Sequence, residues 1–261
     1  MAALPGLHAL VRPVSASLAD CELTHLARTP IDVARAAAQH ADQLRALRAL
    51  GVTVHQVPAA DDLPDAVFIE DTAVVLDEIA IVTRPGAPAR RAETAAVAEA
   101  LAPFRPLRTM EAPATLDGGD VLRVGRTLYV GRSLRTNEAG VTAFAELTAP
   151  FGYRVEPVEF TGCLHLKTAV TAVADGVLLL NPAWVSAARF SGSDWLAVDP
   201  AEPFAGNALR VGDAVLHGSA YPKTRARLEA RGIRVVPVPA DELAKAEGGV
   251  TCCSLIFEVA G

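Results

Sequence analysis

Cysteine is scarce. Of 261 residues only Cys21, Cys163, Cys252 and Cys253 carry a thiol, and no two of them form a CxxC pair. That excludes a disulfide scaffold and a thiolate zinc site. No basic region precedes an apolar core in Met1–Gly6, so the thiols read as reduced ones in a cytosolic protein. Long apolar runs are missing too. Val177–Leu180 is typical of the longest, far short of the ~20 residues that span a bilayer. An excess of positive charge is also lacking: 24 Lys and Arg stand against 30 Asp and Glu, a net charge of −6. A broad nucleic-acid-binding face is therefore excluded, and a small cationic partner is the more natural one. What remains is 51% hydrophobic, enough for one domain over 1–261 that buries roughly 75% of its unfolded surface.

A repeat runs through the chain. Each unit opens on a polar residue, continues as an apolar strand, turns into a second strand, and passes into a helix or a long connection. The pairs are Glu70–Leu76 with Ala80–Arg84, Gly119–Gly125 with Thr127–Gly131, Leu166–Val170 with Gly176–Leu180, and Asn207–Val211 with Ala214–His217. A fifth first strand, Cys253–Phe257, finds its partner in His8–Arg12. Units that start near 71, 120, 167, 207 and 253 have the ~40–50-residue spacing of propeller-like arrays. Pairing the two termini closes the ring and removes exposed strand edges. A plain α/β sandwich is the blander reading. Helices are expected from Asp32 to Leu50, with Val33, Ala37, Leu44 and Leu47 on one face and Gly51 as its stop, then after Arg90, from Asn137, and over Pro222–Ala230. Val52–Val57 alternates as a strand.

In such a ring the residues just before the first strands converge on the axis: Glu70 and Asp71, Asp117 and Asp120, His165, Asn207 and Cys252. Cys252 is the candidate nucleophile. A free thiol is mostly protonated at neutral pH and needs a lowered pKa, a base or a cation beside it, and a catalytic thiol is expected to label selectively at mildly acidic pH. As a lone buried hydrophobe it would carry no chemistry. His165 is the best placed of six histidines for proton transfer; the other five read as structural or surface groups. Asp117, in Leu116–Asp120, can hold that imidazole as the acid of a triad does, although the same five residues also suit a tight turn. A phosphate loop fails because a strand, not a helix, follows Gly118 and Gly119. Asp65, Glu70 and Asp71 form an acidic patch among apolar residues, which asks for a cation and suits a guanidinium. Arg90 and Arg135 follow the second strands of units one and two and can serve a substrate carboxylate.

The segments Phe68–Val75, Thr83–Pro88, Leu116–Leu122, Arg135–Asn137, His165–Lys167 and Thr251–Ser254 together resemble the dimethylarginine dimethylaminohydrolase family, in the right order over nearly the whole chain. The resemblance implies the pentein fold, a five-bladed α/β propeller of ββαβ units. It further implies hydrolysis of Nω-methylated arginine, a small-molecule substrate, to citrulline and methylamines by a monomer or a homodimer. Carried over by motif, Cys252, His165 and Asp117 are the catalytic set, and Glu70 and Asp71 hold the guanidinium. Arg90 and Arg135 bind the carboxylate and Asp65 the α-amine. Leu26 belongs to a lid, and Ala246 and Glu247 line the substrate just before the thiol. Glu247 departs from the Asp of relatives, and the lid over Thr24–Ile31 is a few residues shorter than in mammalian ones. No metal or organic cofactor is required, although zinc could occupy Cys252 and His165 as an inhibitor. An arginine deiminase of the same fold, a non-enzymatic pentein and a zinc hydrolase are the rival readings.

Overall fold

Short apolar strands that alternate with tight turns cannot bury both faces alone, and here they are assembled into five small sheets. The computed structural model describes residues 6–259; the stretch read above for a targeting signal falls mostly on residues 1–5, outside the described residues. In chain order the elements are β1 (Gly6–Val11), α1 (Val33–Ala49), β2 (Thr53–Gln56), β3 (Ala73–Val75), β4 (Ala80–Val82), α2 (Thr94–Leu101) and β5 (Leu107–Thr109). Then come β6 (Val121–Val124), β7 (Thr127–Arg132), α3 (Glu138–Thr148), β8 (Arg154–Glu159), α4 (Leu166–Ala169), β9 (Val170–Ala174), β10 (Val177–Leu180) and β11 (Asp194–Ala197). The last are β12 (Ala208–Val211), β13 (Ala214–Gly218), α5 (Pro222–Ala230), β14 (Arg234–Val238), α6 (Asp241–Ala244) and β15 (Leu255–Val259).

Every sheet has the same order: an inner strand, an antiparallel second strand, and a third strand parallel to the second. The sheets are β3-β4-β5, β6-β7-β8, β9-β10-β11, β12-β13-β14 and β15-β1-β2. The last joins the two ends of the chain, with Gly6 opposite Val259 and Leu10 opposite Leu255. The expected five-bladed α/β propeller closed by its termini is what the chain forms. Inner strands lie against one another around the axis, β15 against β3, β6 against β9 and β9 against β12. Apolar residues form a series of clusters between blades and helices rather than one core. Ile81, Leu116, Leu128 and Phe144 make one, and Ala9, Val11, Leu47 and Leu216 another.

Helix α1 starts and stops where its capping residues dictate. The Asp32 carboxylate accepts the N–H of Arg35, and Gly51 follows the last turn at φ +82°, a left-handed position that glycine takes without strain. Its buried face differs from the expected one. Ala37 is exposed and Val33 half-buried, while Gln39, His40 and Gln43 are buried beside Ala36, Leu44 and Leu47. The buried amides have partners: Gln43 Nε2 donates to the carbonyl of Val250, and Gln39 Nε2 donates to Asp241.

Four first strands begin at least two residues later than their sequence pattern suggests. Ile69–Thr72 and Gly118–Asp120 are turns of 3-10 helix, Leu166–Ala169 is a turn of α-helix, and Cys253 and Ser254 precede β15. Their backbone N–H groups mostly bond within the turn, as Asp71 to Phe68, Thr168 to His165 and Ser254 to Thr251, while Glu70, Asp71 and Lys167 reach other blades through their side chains.

Candidate active site

Each inner strand is entered through a turn whose side chains project toward the axis. Glu70 and Asp71 sit on the turn before β3, Asp117 begins the turn Gly118–Asp120 before β6, and His165 begins α4 before β9. Asn207 precedes β12, and Cys252 precedes β15. All are buried, and they are linked. His165 Nε2 lies 3.1 Å from Asp117 Oδ2, and Nδ1 lies 3.7 Å from Asp71 Oδ1. The N–H of Gly86 donates to Asp117 and that of Gly119 to Asp71, each at 2.8 Å. Thr251 Oγ1 donates to Glu70 Oε2 at 2.7 Å and lies 3.9 Å from Cys252 Sγ, which accepts the N–H of Gly249 at 3.2 Å. Asn207 stitches three blades together through the Lys167 carbonyl and through Thr251.

Protonation follows from this crowding. Burial opposes the imidazolium of His165, but Asp71, the bond to Asp117, and Asp120 outweigh it and raise its pKa to about 9. Burial, then the carboxylates of Glu70 and Asp71, push the Cys252 thiol up to about 12. Asp71 titrates well below the usual carboxylate range: burial resists ionisation, and His165 and Arg90 override it. At neutral pH the site thus holds a Cys252 thiol and a His165 imidazolium. Selective labelling of Cys252 at mildly acidic pH, expected from the sequence, does not follow from these surroundings, because burial, and then the Glu70 and Asp71 carboxylates, disfavour a thiolate.

The other expected residues fall as follows. Arg90 is fully buried, with Nε and Nη2 on Glu93, Nη1 2.5 Å from Asp71, and Nη2 also on the carbonyls of Asp65 and Phe68. One of its five N–H protons remains uncommitted. Arg135 Nη2 donates to Thr24 Oγ1, whereas its buried Nη1 has no hydrogen-bond partner and lies 3.8 Å from Asp117. Asp65 accepts the N–H of Glu22. Ala246 is buried and Leu26 half-buried. The Glu247 carboxylate receives the N–H groups of Thr24, His25 and Leu26. Asp120 accepts Leu166 N–H and the hydroxyls of Ser133 and Thr136, and burial raises its pKa to about 6.

Two groups were not singled out from the sequence. Lys167 Nζ sits 2.5 Å from Glu70 Oε1, and Thr251 joins Glu70 to the thiol. Their signal was position: Lys167 follows His165 by two residues, and Thr251 directly precedes Cys252. The Glu70–Lys167 pair also forms the floor between this site and an axial cavity of about 260 Å³ lined by inner strands of all five blades. Asp71, Asp117 and His165 offer ligand atoms within 4.8 Å of one another, a set that omits Cys252. Both carboxylates already accept backbone N–H groups, and the trio reads as a charge network. Among the described residues all four cysteines are free and buried, and no helix is long and apolar enough to cross a membrane.

A family model described as N,N dimethylarginine dimethylhydrolase, eukaryotic, matches residues 26–185. Over 253 residues the chain is 42% identical to the N(G),N(G)-dimethylarginine dimethylaminohydrolase of Streptomyces coelicolor, covering 97% of both chains. The chain belongs to the dimethylarginine dimethylaminohydrolase family. The Pseudomonas aeruginosa dimethylarginine dimethylaminohydrolase is 34% identical, covering 96% of this chain and 99% of that one. A solved structure of the Pseudomonas enzyme, a Cys-to-Ser mutant complexed with citrulline, superposes with a TM-score of 0.92 and covers 96% and 98%. A His-to-Gly dimethylarginine dimethylaminohydrolase in an adduct with S-methyl-L-thiocitrulline gives 0.91 at 34% identity, covering 96% and 99%. The N-terminal domain of ArgZ, an arginine dihydrolase from cyanobacteria, is only 20% identical with a TM-score of 0.87 over 98% and 99%; it shares the fold. The dimethylarginine dimethylaminohydrolase family is one of hydrolases with the pentein ring, and this chain is a hydrolase of that kind.

Proposed function

We propose that this protein hydrolyses Nω-methylated arginines, asymmetric dimethylarginine and monomethylarginine, to citrulline and dimethylamine or methylamine, with the five blades working as one catalytic domain. The observation that carries this reading is the convergence of Cys252, the His165–Asp117 pair and the buried carboxylates Glu70 and Asp71 on one axis. A planar cation with a reactive carbon is the substrate that such a set suits. The Nη1 of Arg135, which has no hydrogen-bond partner, supports a carboxylate at the other end of the substrate.

The chemistry follows from the charges. Glu70 and Asp71 take the guanidinium, whose positive charge offsets theirs and lets the Cys252 thiol release its proton to solvent. The thiolate attacks the guanidinium carbon. His165, already an imidazolium, protonates the departing amine as the C–N bond breaks, which leaves a covalent thiouronium and a neutral imidazole. That imidazole takes a proton from water, the hydroxide adds to the same carbon, and the C–S bond breaks as the new hydroxyl loses its proton to solvent, which gives citrulline and the thiolate. Asp117 orients the ring and stabilises its charge throughout. Arg90, through Asp71, and Lys167, through Glu70, hold the carboxylates that receive the cation.

The test is citrulline formation from asymmetric dimethylarginine, monomethylarginine and arginine, with wild type beside Cys252→Ser. Turnover of the methylated substrates alone, abolished in Cys252→Ser with binding retained, is the expected result. Turnover of arginine instead, or activity that survives in Cys252→Ser, overturns the reading. In His165→Gly, intact mass should show the substrate-derived adduct on Cys252.

A further inference from the structure

The lid has little packing to hold it in place. Thr24, His25, Ala27 and Arg28 are exposed and Leu26 is half-buried. Beneath it lies a cavity of about 410 Å³ bounded by His25, Leu26, Phe204, Tyr221, Glu247 and Gly249, and side chains that face a void forgo the contacts that would fix them. The attachment is polar instead. Glu247 Oε2 accepts the N–H of Thr24 at 2.9 Å, and Oε1 accepts those of His25 at 2.5 Å and Leu26 at 2.7 Å. Three consecutive backbone donors converge on one carboxylate, and bonds of this charge-assisted kind are the strong ones. Thr24 in turn accepts from Arg135.

Glu247 is held in an unusual backbone state to do this. It has φ +58°, the one non-glycine residue with positive φ among the described residues. L-residues adopt that region only when the surroundings impose it. Ala246 precedes it, and Gly248 and Gly249 follow, the latter donating its N–H to the Cys252 sulfur. One side chain therefore ties the lid to the turn that carries the thiol. Both its oxygens are engaged by lid N–H groups, which argues against direct contact with substrate.

We propose that Glu247 is a positioning residue, a latch whose carboxylate holds residues 24–26 over the bound amino acid. This rests on the methylarginine reading above for what is held, but not for the latch itself. The full chain is compared as wild type, Glu247→Gly, Glu247→Gln and Glu247→Asp. Positive φ suits glycine, so Glu247→Gly keeps the fold and its Tm while it removes the carboxylate. Glu247→Gln places an NH₂ donor against N–H donors. Two readouts are taken: amide hydrogen exchange of a peptide spanning Thr24–Leu26 without substrate, and steady-state kinetics on asymmetric dimethylarginine. Expected in Glu247→Gly and Glu247→Gln are exchange at least ~10-fold faster and KM at least ~10-fold higher, with kcat changed less. Glu247→Asp should recover part of both, since it keeps the charge. Unchanged exchange in Glu247→Gly overturns the latch. Faster exchange with unchanged KM overturns its role in holding substrate, and a fall confined to kcat assigns Glu247 to the chemistry instead. Wild type inactive on methylarginine defeats the functional reading, while the exchange readout still decides the latch.

Discussion

At the scale of single residues the site sets a cation against each buried carboxylate. Asp71 and Asp117 flank the His165 imidazole, Glu70 and Asp71 act on the Cys252 thiol, and the cations Arg90 and Lys167 sit behind Asp71 and Glu70. Burial and the neighbouring carboxylates push the Cys252 thiol up to about 12, and in the proposed mechanism it becomes nucleophilic when the substrate cation arrives. The rate of Cys252 alkylation by iodoacetamide should therefore rise steadily with pH beyond 8, with no plateau near neutrality. At saturating substrate analogue the residue should be protected. A plateau below pH 7 in the empty enzyme would contradict this charge balance. Residue types at the axis were legible in the sequence, because polar groups at repeat starts stand out against apolar strands. The bonding of Lys167 and the duty of Glu247 were not, since both depend on groups distant in the chain, Glu70 and Thr24–Leu26.

At the scale of elements, the turn before each inner strand sets the geometry, and the two glycines before β6 show how tightly. A Cβ on Gly119 would lie 2.6 Å from His165 Nδ1 and 2.8 Å from Asp71 Oδ1, whereas one on Gly118 would lie 2.0 Å from the backbone oxygen of Glu70. Gly119→Ala should keep the fold, since side chains can shift, and lose about 100-fold in kcat through the displaced imidazole. Gly118→Ala should instead lower the Tm sharply, since backbone must move. Equal effects of the two on activity and melting would refute the distinction. Hydrophobic periodicity placed most of the strands and the helix caps, because burial of alternate residues and side-chain caps are local facts. It misplaced Leu166–Ala169 and part of the buried face of α1, where Gln39, His40 and Gln43 are inside because Asp241, Val250 and Cys253 meet them there.

At the scale of the molecule, ring closure buries groups that would otherwise be solvated, and stability takes on a pH dependence. His40 is 4% exposed, and burial lowers its pKa to about 4. The unfolded chain, with its imidazole near 6.5, therefore binds the extra proton between those values. The neutral form is tolerated above about pH 6.5, and stability drains away as pH falls toward 4. A shift of this size is worth about 3 kcal/mol. Urea unfolding at pH 7 and pH 4 should show wild type losing about that much more than His40→Gln; equal losses would refute the assignment. His165 works in the opposite sense. Its raised pKa adds stability that is whole below pH 6.5 and is lost as pH rises through about 9.

By itself the sequence determined the repeat, the polar residue at the head of each inner strand and the caps of α1, all consequences of residue type and spacing that neighbours in the chain decide. Only the tertiary structure decided that Glu70 pairs with Lys167, that Arg90 stands behind Asp71, and that Glu247 receives the N–H groups of Thr24, His25 and Leu26. Those pairings join residues up to hundreds of positions apart. Their free energy exists only once the ring has closed and excluded water between them.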